Sequence, residues 1–120
     1  MRRFVLYIVA AGVATLAACT QLPAGNIERG ESLYRRDCAQ CHEASGGIGS
    51  RLTRRGLSSY GTARGLLNYN RRYMPYNAEG MLPGQDYLDI TAYLLVKHGF
   101  ASSGFVLTEE NGMELPLILE

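Results

Sequence analysis

Cysteine is scarce in this sequence: three occur in 120 residues, at Cys19, Cys38 and Cys41. Strand-like alternation of apolar and polar residues is scarcer still, and no segment repeats, in keeping with an all-α domain. The longest apolar run, residues 4–18, is too short and too small-sided for a confident membrane span and fits the core of a signal peptide. Charge of one sign is also missing. The formal net charge is +1, and the arginines are not interleaved with aromatics, so nothing resembles a nucleic-acid footprint.

The two inner cysteines stand in Cys38-Ala39-Gln40-Cys41-His42, the spacing of a c-type haem attachment motif. On one helical turn both thiols point to the same side and can each bond a vinyl group, and His42 then ligates the iron from that side. Two other chemistries use such residues. A thiol oxidoreductase built on Cys38 and Cys41 expects a βαβ pattern around the pair, and a lone helix precedes them here. A zinc site lacks an evident fourth ligand, and adjacent Cys41 and His42 suit one metal poorly. The glycine-rich stretch Ser45–Ser50 reads as a loop. It has neither the preceding strand nor the following Lys-Ser/Thr of a phosphate cradle.

Residues 1–18 read as a signal peptide, and Leu16-Ala17-Ala18-Cys19 resembles the lipobox of bacterial lipoproteins, in which the cysteine is acylated after cleavage. An ordinary signal peptide or an uncleaved anchor are the alternatives. With Cys19 lipidated and Cys38 and Cys41 on haem, no thiol is left for a disulfide. Residues 20–25 form a linker with a reach of roughly 20 Å, which holds residues 26–99, the main domain, near the membrane. A domain of this size has a modest core, and a covalent macrocycle would staple it.

Asn26 is a plausible N-cap, and Ile27, Gly30, Leu33, Tyr34 and Cys38 fall at helical spacing, so a first helix is expected over 27–39. A second is expected over 62–72, with Leu66, Leu67, Tyr69 and Tyr73 on its buried side, ending before Met74-Pro75. A third is expected over 84–98, with Tyr87, Ile90, Thr91, Leu94 and Leu95 as its apolar stripe. Residues 100–120 form a tail expected to pack on its own domain, a partner-binding role being the alternative. Residues 26–72 hold nine arginines against four acids, and residues 73–120 one lysine against seven acids. Such a split either steers a redox partner or is simply solvated.

The iron's sixth ligand must come from Met74, Met81, Met113 or His98, unless the position stays open. A thioether favours ferrous iron and raises the potential. Met74 is preferred, because it lies on the loop before the last helix and is followed by Pro75. His98 suits the end of a helix, and Met113 suits packing. Arg51, Arg54, Arg55 and Tyr60 are available to the haem propionates or to solvent.

The order of motifs, CxxCH, then Met74-Pro75, then a last helix containing Ala92-Tyr93-Leu94, resembles the class I cytochromes c. The resemblance covers nearly all of residues 26–99. It implies three main helices around one covalent haem c, with Met74 as distal ligand and Gly30 and Tyr34 crossing the last helix near Tyr93. The stretch 74–82 with 87–95 is similar to haem subunits or domains of sulfite, sulfur-compound and quinoprotein dehydrogenases, in which the position of Met81 is usually small and polar. One departure concerns the proline that usually follows the haem motif and accepts a hydrogen bond from the proximal histidine. No proline lies between His42 and Met74. A carbonyl around Ile48–Ser50 is the expected substitute. Pro83 and Gly84 also replace the usual capping residues of the last helix.

The resemblance implies an electron carrier and no enzyme. The expected protein is a monohaem c-type cytochrome, lipid-anchored to a membrane in the bacterial periplasm. It would pass single electrons from a dehydrogenase to a respiratory acceptor and bind no nucleic acid. The alternative is a haem-based peroxidase or gas-binding protein in which Met74 is labile.

Overall fold

A computed structural model describes residues 24–120. The signal peptide and Cys19 lie outside them. Among the described residues the elements are all helical: α1 Ile27–Asp37, α2 Ala39–His42, α3 Arg54–Ser58, α4 Ala63–Tyr73 and α5 Gly84–Lys97. No helix among them is long and apolar enough to cross a membrane.

Asn26 caps α1 through its side-chain oxygen, which accepts from Arg29 N at 2.8 Å. Glu28 in the first turn and Arg35 and Arg36 in the last complement the helix dipole. The first helix does not run on to residue 39. Cys38 takes φ −124°, ψ −42°, which breaks the rod, and the haem motif winds its own short turn, α2. The five-residue α3 was not expected. Thr53 caps it by accepting from Gly56 N at 3.0 Å. Thr62 plays the same part for α4. Pro83 precedes α5 with no side-chain cap.

The core forms where α1 and α4 pack on α5. Leu33, Tyr34, Leu66, Leu67, Tyr87, Leu88, Ile90, Leu94 and Leu95 are buried there, each large side chain contributing about 1.5–3 kcal/mol. The α1–α5 crossing is close because position 30 is glycine: a Cβ there would overlap the carbonyl oxygen of Asp89 and sit 3.0 Å from Tyr93 Cβ. The Tyr34 and Tyr93 rings meet beside it with centroids 5.5 Å apart. Tyr73, expected on the buried side of α4, is instead 47% exposed.

The crossing is also ionic. Asp89, 1% exposed, accepts from Asn26 N at 2.8 Å, from Gln85 Nε2 at 2.7 Å and from Arg29, whose other nitrogen reaches Asp86 at 2.5 Å. A carboxylate buried with this many donors is compensated, whereas one stripped of them would be costly. Further pairs join the basic and acidic halves of the chain: Arg36 to Asp86, Arg64 to Glu114, Arg71 to Glu109 and Lys97 to Glu43. Part of the charge asymmetry along the sequence is therefore cancelled in space.

Residues 100–120 lie against the helices. Leu107, Met113 and Leu117 are fully buried. The carbonyls of Met113 and Leu115 accept from Arg64 N at 2.9 Å and Ala63 N at 3.0 Å, amides that the start of α4 would otherwise leave unpaired. Thr62 and Pro116 form an isolated antiparallel bridge. Arg54 donates to the carbonyls of Gly99 at 2.9 Å and Ile118 at 3.3 Å, so its guanidinium clasps the tail.

Candidate haem site

The helices enclose a cavity of about 750 Å³, within the range of small-molecule sites. It is lined by Cys38, Cys41 and His42, by Gly49 and Ser50, by Met74, Pro75 and Tyr76, and by Leu66, Tyr69, Tyr87, Ile90 and Leu94. The turn of α2 thus brings both thiols and the imidazole to one chamber, and the loop after α4 brings Met74 to the same chamber.

His42 is held by the glycine loop. Its Nδ1 donates to the carbonyl of Ser50 at 2.6 Å, which leaves Nε2 as the ring nitrogen with a free lone pair. The loop folds this tightly because it lacks side chains. A Cβ on Gly47 would overlap the Cys41 carbonyl, and one on Gly49 would lie 3.0 Å from the imidazole. Gly49 N donates to Cys41 O at 3.1 Å. The glycines serve close approach to the histidine and cradle no phosphate.

Met74 is held through its backbone. Its backbone carbonyl accepts from the Tyr87 hydroxyl at 2.7 Å, and its amide donates to Asn70 O at 3.0 Å. Asn70 in turn donates to Thr91 on α5 at 3.2 Å. The sequence showed Tyr87 as part of an apolar stripe. Its hydroxyl, which fastens the Met74 loop, was the part that periodicity could not reveal.

The other possible ligands are elsewhere. Met81 is 77% exposed and not in the cavity wall. Met113, on the tail, is packed into the core. His98 caps α5 and is half-buried, with Nε2 lacking a hydrogen-bond partner, and burial pushes its pKa down. Tyr60 lies in the cavity wall. Arg51 reaches the carbonyl of Glu43 at 3.5 Å.

Burial, with Asp37 and Cys41 nearby, pushes the Cys38 thiol up to about 12. Thiol–disulfide chemistry needs an accessible thiolate, which Cys38 does not readily supply. Among the described residues no three His, Cys, Asp or Glu side chains gather as a metal site.

The family model for cytochrome c oxidase, cbb3-type, subunit III, matches residues 25–94. Among solved structures, the sulfane dehydrogenase SoxCD from Paracoccus pantotrophus is similar at 26% identity and a TM-score of 0.57. The match covers 78% of this chain and 54% of that one, so the chain spans about half the length of its structural relative. No individually curated protein matches the sequence significantly.

The residues present fit the covalent haem of that family. Two thiols, a histidine with Nε2 unengaged and a methionine line one largely apolar chamber. Motif, helical architecture and chamber agree with the family match over more than half of the chain: it belongs to the cbb3-type subunit III cytochrome c family and is a class I c-type cytochrome, an electron-transfer protein that carries haem c.

Proposed function

We propose that this protein is a membrane-tethered, periplasmic monohaem electron carrier. Cys38 and Cys41 would form the thioether bonds, and His42 Nε2 and the Met74 sulfur would be the axial ligands. The observation that carries the reading is that His42 and Met74 line one chamber and are each held in place: His42 Nδ1 donates to the Ser50 carbonyl, and the Tyr87 hydroxyl donates to the Met74 carbonyl. Bound haem supplies a one-electron ferric/ferrous couple. The chain's own work is to hold both ligands in place, line the chamber with Leu66, Ile90 and Leu94, and exclude water from it. A pinned Met74 favours a closed, six-coordinate site that carries electrons over an open one that binds peroxide or a gas.

The partner class follows from the relative. SoxCD is a sulfane dehydrogenase, and this chain would serve a dehydrogenase of comparable kind, passing its electrons to a respiratory acceptor. The lipobox-like Leu16–Cys19 supports a lipid tether at Cys19 in the bacterial periplasm.

The test uses protein matured in a host competent for haem export. Pyridine haemochrome analysis should report a thioether-linked haem. The weak sulfur-to-iron band at the red edge of the visible spectrum should vanish in Met74→Ala and persist in Met81→Ala. A colourless product would refute the cofactor assignment, and the opposite methionine result would reassign the ligand. Cys19→Ser should release the protein into the soluble periplasmic fraction, and retention in the membrane would reject the lipid tether.

A further inference from the structure

Three tyrosines stand in continuous ring contact between the cavity and the surface. Tyr60 and Tyr69, with centroids 4.6 Å apart, both belong to the cavity wall. Tyr69 and Tyr73 follow at 5.0 Å, and Tyr73 is outside the wall and 47% exposed. All the rings are tilted by 45–47°, an arrangement favoured by aromatic quadrupoles. Over the outermost ring sits the Arg72 guanidinium, 5.5 Å from its centroid. Arg72 is exposed, and among the described residues no carboxylate pairs with it, whereas its neighbour Arg71 is bound to Glu109.

Packing does not require this arrangement. A half-exposed tyrosine at the last residue of α4 adds little core, and an arginine left without an acid contrasts with the pairing of most other cations in the domain. Together they make a small aromatic surface with one free positive charge, joined to the chamber through the Tyr69 ring.

We propose that Tyr73 and Arg72 form an electron-exchange point for an anionic redox partner, coupled to the haem chamber through Tyr69 and Tyr60. The proposal rests on the electron-carrier reading. One electron leaves the reduced protein and enters the acceptor of the partner. The rings lend orbital overlap and are neither oxidised nor deprotonated, so no proton moves and no further reagent is needed. The partner is a protein whose acidic surface meets Arg72 and whose acceptor comes to lie against the Tyr73 ring.

Two measurements on the holoprotein test this. Hexacyanochromate, a paramagnetic and redox-inert trianion, should broaden the nuclear resonances of Tyr73 and Arg72, and Arg72→Gln should abolish that broadening. Oxidation of the reduced protein by ferricyanide should slow severalfold in Tyr73→Leu and Tyr69→Leu. Tyr69→Phe, which keeps the ring, should rescue the rate lost in Tyr69→Leu. In Arg72→Gln the ferricyanide rate should fall and lose much of its salt dependence.

Broadening at the chamber mouth alone, around Ile48 and Tyr76, would overturn the proposal. So would wild-type rates in both leucine variants. Should Tyr69→Leu fail to mature, Tyr73→Leu, at an exposed position, decides alone. Failure of the carrier reading would look different: protein lacking a thioether-linked haem or the methionine band would be evident before any rate was measured.

Discussion

His42 and Ser50 are joined by a 2.6 Å hydrogen bond from the imidazole Nδ1 to a backbone carbonyl. A carbonyl in this place fixes the tautomer and increases the electron donation of Nε2, which favours ferric iron. Class I cytochromes generally draw this carbonyl from a proline. Here a glycine loop supplies it, and Gly49, where a Cβ would lie 3.0 Å from the imidazole, permits the close approach. Gly49→Ala should push the ring and the Ser50 carbonyl apart. The covalent haem should remain, and the reduction potential should rise, as read by spectroelectrochemistry. An unchanged or lowered potential would mean that Ser50 does not tune the histidine.

Gly30 holds the two longest-range helices together. A methyl group there has no free space, because it would overlap the Asp89 backbone rather than a movable side chain. Gly30→Ala should therefore force α1 away from α5, disturbing Tyr34, Tyr93 and the Arg29–Asp89 contact at once. Overpacking typically costs about 1–3 kcal/mol, and a backbone clash should reach at least the upper end. Denaturant unfolding of the holoprotein measures it. A loss below that range would show that the crossing tolerates separation.

Met113 separates a packing role from a ligand role. It is 2% exposed, on the tail and outside the chamber lining. Met113→Ala should cost about 2–5 kcal/mol through the cavity it leaves, with the red-edge methionine band intact in the folded protein at low temperature. Loss of that band without loss of stability would place its sulfur on the iron instead.

Much of this architecture was legible in the chain. The CxxCH spacing, Asn26 and the 3.6-residue stripes fixed the positions of α1, α4 and α5 to within one or two residues at most ends, because these are local signals. The break at Cys38 was not legible, since nothing in Asp37-Cys38-Ala39 disfavours continuing the helix. Helix α3 escaped notice because five residues beginning Arg54-Arg55-Gly56 are too few to show a period. Tyr73 keeps the register of the α4 stripe and stacks on Tyr69, but it is the last residue of the helix and half of it stands open. The ion pairs were hidden for another reason. Arg29 with Asp89 and Arg71 with Glu109 join residues 60 and 38 positions apart, and charge counted along a sequence says nothing about which charges fold against each other.

The pair Arg71–Glu109 ties α4 to the tail, and it should make that attachment sensitive to acid. The hydrogen bond from Arg71 holds the Glu109 carboxyl below its usual range, against a smaller opposing effect of burial. A carboxylate whose pKa falls on folding stabilises the native state at pH values above its unfolded pKa, about 4.3. That contribution is lost as pH drops through the folded value. Glu109→Gln removes the titration, so its melting temperature should lie below that of the wild type at neutral pH, and the two should converge as pH falls below the ordinary carboxylate range. The pair is partly exposed, so the gap should be modest and shrink in high salt. Curves that run parallel from neutral to acid pH would show that Glu109 contributes nothing through its charge and that the tail is held by Leu107, Met113, Leu117 and the backbone bonds alone.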